Sequence, residues 1–402
     1  MGPAFNRMWA GSIISNLSDG VLLAAAPLLA IALTDNTVLI SAVGACVSLP
    51  WLLFAIPIGA IVDRVDRRHI LATANTTRGV VVGLLALSIA FDTVNIYQLM
   101  LSAFIIGICE VASDTTSQSL IPQVLAKENF EKGNSRLSIS EVVVQGFIGA
   151  PMSGFLYATA IALPFFFNSV GFIVAALLAL SIPIQHLQIA RENSDEPKKS
   201  FRDDMKFGIN YLVHDKTLRR LVLTTSFIGV CYSMATATMV LFLVKELDLP
   251  KQLFGVMLTV QGIGAIVGGV VAPKASAKFG RSRVMTFGIV SSSILILLQG
   301  FAPNYFVSVA LGSLGSFTIS QWNILLMSTY QTVIPKEIYG RIHGTRRTLV
   351  WGLMPIGSLL GGVLAHHGLR LPMYVGGMIA TVIALSSIKF LLGISVNADS
   401  NK

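Results

Sequence analysis

The stretch Gly59-Ala-Ile-Val-Asp63-Arg64-Val-Asp66-Arg67-Arg68 joins two long apolar runs, one upstream from about residue 39 and one downstream to about residue 90. Each run holds the ~20 apolar residues that a helix needs to cross a bilayer. Between two such helices, a short basic segment led by a glycine reads as a tight turn at the membrane surface. The missing side chain lets the two helix ends come close. Asp63 has arginines one and four places on, so it can exchange charged partners as neighbouring helices slide. The plainer alternative is ordinary cytoplasmic positive charge around a turn.

Outward from this connector, the same alternation runs through the chain. Of 402 residues, 53% are hydrophobic and only 12% charged, with a mean hydropathy of +0.72. A soluble domain carries about 25% charge, so the deficit points to lipid as the main solvent and to an all-α membrane protein. Twelve transmembrane helices are expected near 8–33, 39–62, 70–90, 97–121, 137–158, 163–183, 221–244, 253–272, 284–301, 305–330, 345–365 and 373–392. The first run carries Asp19, which sets it apart from a cleavable signal peptide. A polar stretch divides the chain into a six-helix bundle over 1–185, a cytoplasmic linker over 186–220 and a second bundle over 221–402.

The net charge of +9 belongs to this topology rather than to nucleic-acid binding. Of the 29 lysines and arginines, only Lys245, Lys251 and Arg370 fall on the outer connectors, and Arg78 falls inside a span. All the others lie on segments that are cytoplasmic if the N-terminus is cytoplasmic, and this places both termini inside. Cys46, Cys109 and Cys231 all lie in apolar runs with no metal-ligand or disulfide spacing. Neither a metal nor another cofactor is expected. No phosphate-binding G-x-x-x-x-G-K-[ST] loop or H-E-x-x-H pattern is present, so ATP-driven pumping and enzymatic chemistry are not expected.

The two bundles read as pseudo-repeats. Gln118-Ser-Leu-Ile-Pro122 recurs 213 positions later as Gln331-Thr-Val-Ile-Pro335. Gly149 and Gly154 recur 208 positions on as Gly357 and Gly362, and the connector at Asp63 is echoed by Ala277-Lys-Phe-Gly-Arg-Ser282, without the acid. Parallel repeats of six spans imply a substrate site near the bilayer midplane between the halves.

The connector Gly59, Asp63, Arg64, Arg67, Arg68 resembles the loop signature between the second and third helices of the major facilitator superfamily. Together with Ser15-Asn-Leu-Ser-Asp19-Gly20 and Leu-Ile-Pro122, it is similar to the branch of macrolide-efflux and siderophore-export proteins (transmembrane secretion effectors). The resemblance implies the major facilitator fold, a charged cytoplasmic gate at the connector and proton-driven export of amphipathic small molecules from bacteria. It places the protein in the cell inner membrane. Gly146, Gly149, Pro151 and Gly154 are similar to the glycine–proline motif of antiporters in the superfamily. Read physically, they form a smooth packing face with a bend, which by itself says nothing of transport direction.

Ionisable groups at midplane depth are costly and therefore informative. Asp19 lies eleven residues into the first span, about 16 Å at ~1.5 Å per residue. Glu110 and Asp114 lie four apart on the fourth span and so share a face, with Gln118 a further turn along. Arg78 lies in the third span, and Glu141 near the cytoplasmic end of the fifth. Asp19 or Glu110 competing between a proton and Arg78 is a workable coupling device. The alternative is a static salt bridge that only fixes packing. The second half offers neutral polar and aromatic groups instead. Asn16, Gln118, Gln321, Asn323, Tyr232 and Trp322 are the candidates for the substrate cavity. His366-His367 reads as a solvated pair.

The expected partners are a small-molecule substrate, protons and the lipid bilayer, with each chain acting as a monomer. Proton symport of a metabolite, or a non-transporting receptor or assembly protein with the same fold, are the alternatives. Few formal charges besides the acids favour neutral or cationic amphiphiles, while Arg78 leaves room for an anionic siderophore.

Overall fold

The computed structural model describes residues 2–62, 65–125, 133, 136–137, 140–183, 201–334 and 338–399. Every regular element among them is a helix. The helix ends follow local chemistry. Helix α1 (Pro3–Leu33) starts on a proline, whose missing N–H is an orphan at that position anyway. After α2 (Thr37–Leu53) and α3 (Ala55–Val62), α4 (Arg67–Ala90) is capped by Asp66, which accepts from the Arg68 N–H at 2.9 Å. Helix α5 (Ile96–Val124) is capped by Asn95, which accepts from the Gln98 N–H at 2.9 Å.

A π-helical stretch, Glu141–Gly149, runs straight into α6 (Ala150–Thr159), and α7 (Leu163–Leu180) again begins with a proline. The polar middle of the chain is not all linker. Residues 201–214 form α8 (Phe201–His214), and α9 (Lys216–Thr236) follows behind an Asp215 cap. A second π-helical stretch, Phe242–Glu246, precedes α10 (Lys251–Phe279), α11 (Arg281–Gly300) and α12 (Tyr305–Val333). The chain closes with α13 (Tyr339–Gly352), α14 (Met354–His367), α15 (Leu371–Ser386) and α16 (Ile388–Asp399).

Eight helices among the described residues are long and apolar enough to cross a membrane, or nine if the bent pair Leu371–Ser386 and Ile388–Ile394 is one span. The expected second, fifth and tenth spans fall outside that count for separate reasons. The second is broken at Phe54 between α2 and α3. The fifth is divided between the π stretch and the short α6. Helix α12 has the length, 29 residues, but carries Ser308, Ser313, Thr318, Gln321 and Asn323.

Lipid-facing stripes are plain on the long helices. Val80, Leu84 and Leu87 on α4 are 50%, 57% and 45% exposed at helical spacing, and Val170 and Leu177 on α7 are more than 60% exposed. Such rows suit a hydrocarbon solvent and would be a liability in water.

The described residues pack as two compact units. The first comprises 1–35, 46–198 and 250–259; the second comprises 36–45, 199–249 and 260–402. In the first unit, Ala4, Met8, Leu71, Ala72, Leu120, Ala179 and Ile182 form one apolar cluster, and Trp51, Ile58, Val62 and Val111 another. The core of the second gathers around Trp322 and Tyr330.

Candidate functional site

The charged centre of the first unit is assembled from α1, α4, α5 and α7. Helix α4 begins at Arg67, three residues before the expected span, which brings Arg78 to the middle of the helix. Asp19 is likewise near the middle of α1. Arg78 Nη2 donates to Asp19 Oδ1 at 2.8 Å, and Nη1 reaches Ser15 Oγ at 3.4 Å. The guanidinium lies 4.5 Å over the Phe172 ring of α7 and is only 1% exposed. A guanidinium so deeply buried requires a counter-charge, since an unpaired one costs several kcal/mol. Arg78 also feels the attraction of Glu110 and Asp114, while Asp114 and Asp19 repel each other. The structure therefore gathers three acids around one base.

Close helix approach holds this centre in place. Asn168 Nδ2 donates to the Ser18 carbonyl at 2.5 Å, and Ser169 Oγ to the Gly79 carbonyl at 2.7 Å. A side chain at Gly149 would meet the Leu17 carbonyl at 2.7 Å and the Gly20 backbone, and one at Gly20 would strike the Gln145 carbonyl. Glycine on both sides is thus what lets the π stretch touch α1 beside Asp19. The rest of the motif on these helices does other work. Space is open beside Gly146, whose carbonyl accepts from Thr259 at 3.0 Å, while Ala150, Pro151 and Gly154 meet residues 252–255. Glu141 is exposed at the start of the π stretch.

The connector ahead of α4 is a second cluster. Asp63 and Arg64 lie outside the described residues. Asp66 pairs with Arg68 at 2.6 Å, and hydrogen bonds from Arg68 hold the Asp66 carboxyl below the usual carboxylate range. Arg68 also donates to the Ile182 carbonyl at 3.2 Å, and Arg7 to the Ser181 carbonyl, so two cations sit at the C-terminus of α7 where its dipole favours them. Arg67 Nε donates to Ser119 Oγ at 3.0 Å. Gly59 is half-buried, with space beside it.

The cavity candidates do not share one environment. Asn16 is half-buried and donates to Ser12 Oγ at 3.2 Å, whereas Gln118 is exposed. On α12, Gln321 is buried, Trp322 is in the core and Asn323 is exposed, because consecutive helical residues point about 100° apart. Tyr232 is 43% exposed. The His366 and His367 rings stand 5.5 Å apart, and among the described residues no group of three or more His, Cys, Asp or Glu could hold a metal ion.

Sequence reading singled out Asp19 and Arg78 but missed Phe172, Ser15 and Asn168. A polar residue within a span, such as Asn168, is a usable signal. A phenylalanine among the apolar residues of α7 carries none.

A set of apolar spanning helices with a carboxylate–guanidinium pair at mid-helix marks a multi-pass membrane protein. The chain belongs to the transmembrane secretion effector family of the major facilitator superfamily, whose sequence model matches residues 2–401. It is 21% identical to the multidrug efflux pump Tap of Mycolicibacterium fortuitum over 98% of this chain and 94% of that one. Macrolide efflux protein A of Streptococcus pyogenes is also 21% identical, over 90% of this chain and 89% of its own. In fold, the chain is similar to a crystallised variant of the nucleoside transporter NupG, with a TM-score of 0.76 and 12% identity over 97% of this chain and 99% of that one.

Proposed function

We propose that this chain is a proton-coupled antiporter exporting an amphipathic small molecule, such as a macrolide or another cationic drug. In this reading twelve spans form two related six-helix halves, both termini are cytoplasmic, and the protein works as a monomer in the bacterial inner membrane. The Asp19–Arg78 ion pair is the single observation that carries the proposal. Protonation of Asp19 removes the counter-charge from a buried guanidinium, and Arg78 then needs another partner. Glu110 and Asp114, already within its field, are the alternatives. The protonated and deprotonated states thus favour different arrangements of α1, α4 and α5, which is what alternating access requires. One proton entering through about 100 mV yields ~2.3 kcal/mol, ~50-fold in substrate gradient before any pH difference. The efflux pumps that match the chain along most of its length support the outward direction.

The test is ethidium efflux from energised cells carrying the wild type or Asp19→Asn at equal membrane abundance. Loss of efflux driven by the proton gradient in the variant is expected. Equal efflux in both would remove Asp19 from the coupling step. Proton symport is the competing reading, and it reverses the sign of substrate flux under an imposed pH gradient.

A further inference from the structure

Arg78 and Asp19 are not the only polar groups buried in the first unit. Asn75 Oδ1, Arg78 Nε, Ser113 Oγ and Thr116 Oγ1 are each shut away from solvent with no hydrogen-bond partner among the described residues. Their spacing is ordered. Leu71, Asn75, Arg78 and Val82 follow one another on one face of α4, and Cys109, Ser113, Thr116 and Leu120 on one face of α5, each at steps of three or four. Helices α4 and α5 pack together and run in opposite directions, anchored at their cytoplasmic ends by the Arg67–Ser119 hydrogen bond. Counted from that anchor at ~1.5 Å per residue, Thr116 lies about 4 Å in, Ser113 about 9 Å, Asn75 about 12 Å and Arg78 about 16 Å. Leu71 and Leu120 belong to one apolar cluster at the inner end of the row.

Leaving a buried hydroxyl or amide oxygen without a partner costs about 1–3 kcal/mol, and four in one row is far from the norm for native interiors. Ordered water is the usual remedy where several polar groups converge, each molecule making two to four bonds. We infer that the α4–α5 seam holds a file of ordered water, closed at its inner end by Leu71 and Leu120, through which a proton passes between Asp19 and Asp114. In the transfer, the Asp19 carboxyl loses its proton to the adjoining water and the Asp114 carboxylate gains one from the far end of the file. The charge on the pair of acids is conserved. Asn75 and Ser113, which lie between the depths of the two acids, are positioning residues: they hold water and do not themselves ionise. The inference rests on the proton-coupled reading, and the experiment separates the two.

The full-length protein in proteoliposomes, with ethidium as substrate and a trapped pH dye, gives proton uptake and efflux together. Ser113→Ala and Asn75→Leu remove the polar atom with little change in size. Each is expected to slow ethidium-linked proton uptake roughly 10-fold, the equivalent of one buried hydrogen bond, with ethidium affinity unchanged. Ser113→Thr, which keeps the hydroxyl, is expected to retain the rate. A readout independent of transport is radiolytic hydroxyl labelling of Cys109, which lies on the polar row, against Cys231, equally buried in an apolar core. Faster labelling of Cys109 supports water in the seam. If Cys109 labels no faster than Cys231, or if both variants run at the wild-type rate, the inference is overturned. A wild type with no ethidium-linked proton uptake would instead sink the parent reading, and the cysteine labelling would still decide whether the seam is wet.

Discussion

The two halves of the chain repeat several local contacts but not the same chemistry. Asn95 caps α5 through the Gln98 N–H, and Asn304 caps α12 through the Val307 N–H. Arg67 donates to Ser119 at 3.0 Å, and Arg281 to Thr332 at 3.3 Å. Gly149 lies against the backbone of α1 at Leu17, and Gly357 against the backbone of α9 at Val230. These parallels support two related halves. Yet eleven residues beyond Arg67 stands the buried Arg78, whereas eleven beyond Arg281 stands Ser292, which donates to the Ile289 carbonyl of its own helix. Packing and capping are kept where the helices must meet, while the mid-helix ion pair Arg78–Asp19 belongs to the first half and the second half buries Arg346 against the Tyr330 ring. Charge is the expensive element in lipid, so a paired charge at mid-helix depth argues for a task rather than for architecture.

The sharpest way to break this comparison is to remove the counter-charge. Asp19→Ala leaves Arg78 buried without its nearest partner and is expected to destabilise the protein by about 3–5 kcal/mol, read as a lower unfolding temperature in detergent. Adding Arg78→Met is expected to recover most of that stability without recovering transport. If Asp19→Ala melts like the wild type, Glu110 or Asp114 already neutralises the arginine and the pair is not the hub of the site. In the second half, Ser292→Ala removes only a local helix hydrogen bond and is expected to shift stability by less than about 1 kcal/mol.

Next in size are the close approaches. Gly149→Ala and Gly357→Ala each push a methyl group into backbone atoms that cannot give way, at an expected cost of about 1–3 kcal/mol. Gly146→Ala, with nothing within 4 Å of the added carbon, is expected to be near neutral. Thermal unfolding of the three variants decides the matter. A large loss at Gly146 would mean that the helix-five glycines act as one smooth face, as the motif alone suggests. The contrast also marks what sequence could and could not convey. Eight of the expected spans and the isolated charges Asp19 and Arg78 were legible, because composition and depth in a span are one-dimensional properties. Which glycine meets a backbone, and that Phe172 underlies the guanidinium, depend on helix rotation and neighbour choice. The break at Phe54 and the π-helical turns at 141–149 were invisible for the same reason: a continuous apolar run reads as a straight helix.

Smaller effects test the helix ends beside the two connectors. Arg67→Ala and Arg281→Ala each lose one hydrogen bond to a hydroxyl and are expected to cost about 1 kcal/mol alike, which melting of the two single variants would check. A much larger cost at Arg67 would assign the first-half connector a structural load beyond its hydrogen bond.

The least expected change lies at the two helix caps that occupy corresponding places, Asp66 before α4 and Gly280 before α11. Gly280 has φ of +88°, a conformation open to glycine, and takes no part in charge pairing among the described contacts. Asp66 accepts from the Arg68 backbone and pairs with its guanidinium, which together depress its carboxyl pKa. A depressed folded-state value means that ionised Asp66 contributes stability above the unfolded pKa of about 3.9, and that this is lost as pH falls through the folded value. The group is about a third exposed, so solvent screening limits its contribution to a few tenths of a kcal/mol. Asp66→Asn keeps a capping oxygen and removes the charge. It is therefore expected to fall slightly below the wild type at pH 7, and to converge on it as pH falls through the depressed folded-state value, in unfolding temperature at low salt. An unchanged gap between the two proteins across that range would mean that Arg68 is held by the Ile182 carbonyl and the dipole of α7 rather than by Asp66. The connector would then anchor α7 without help from its own acid.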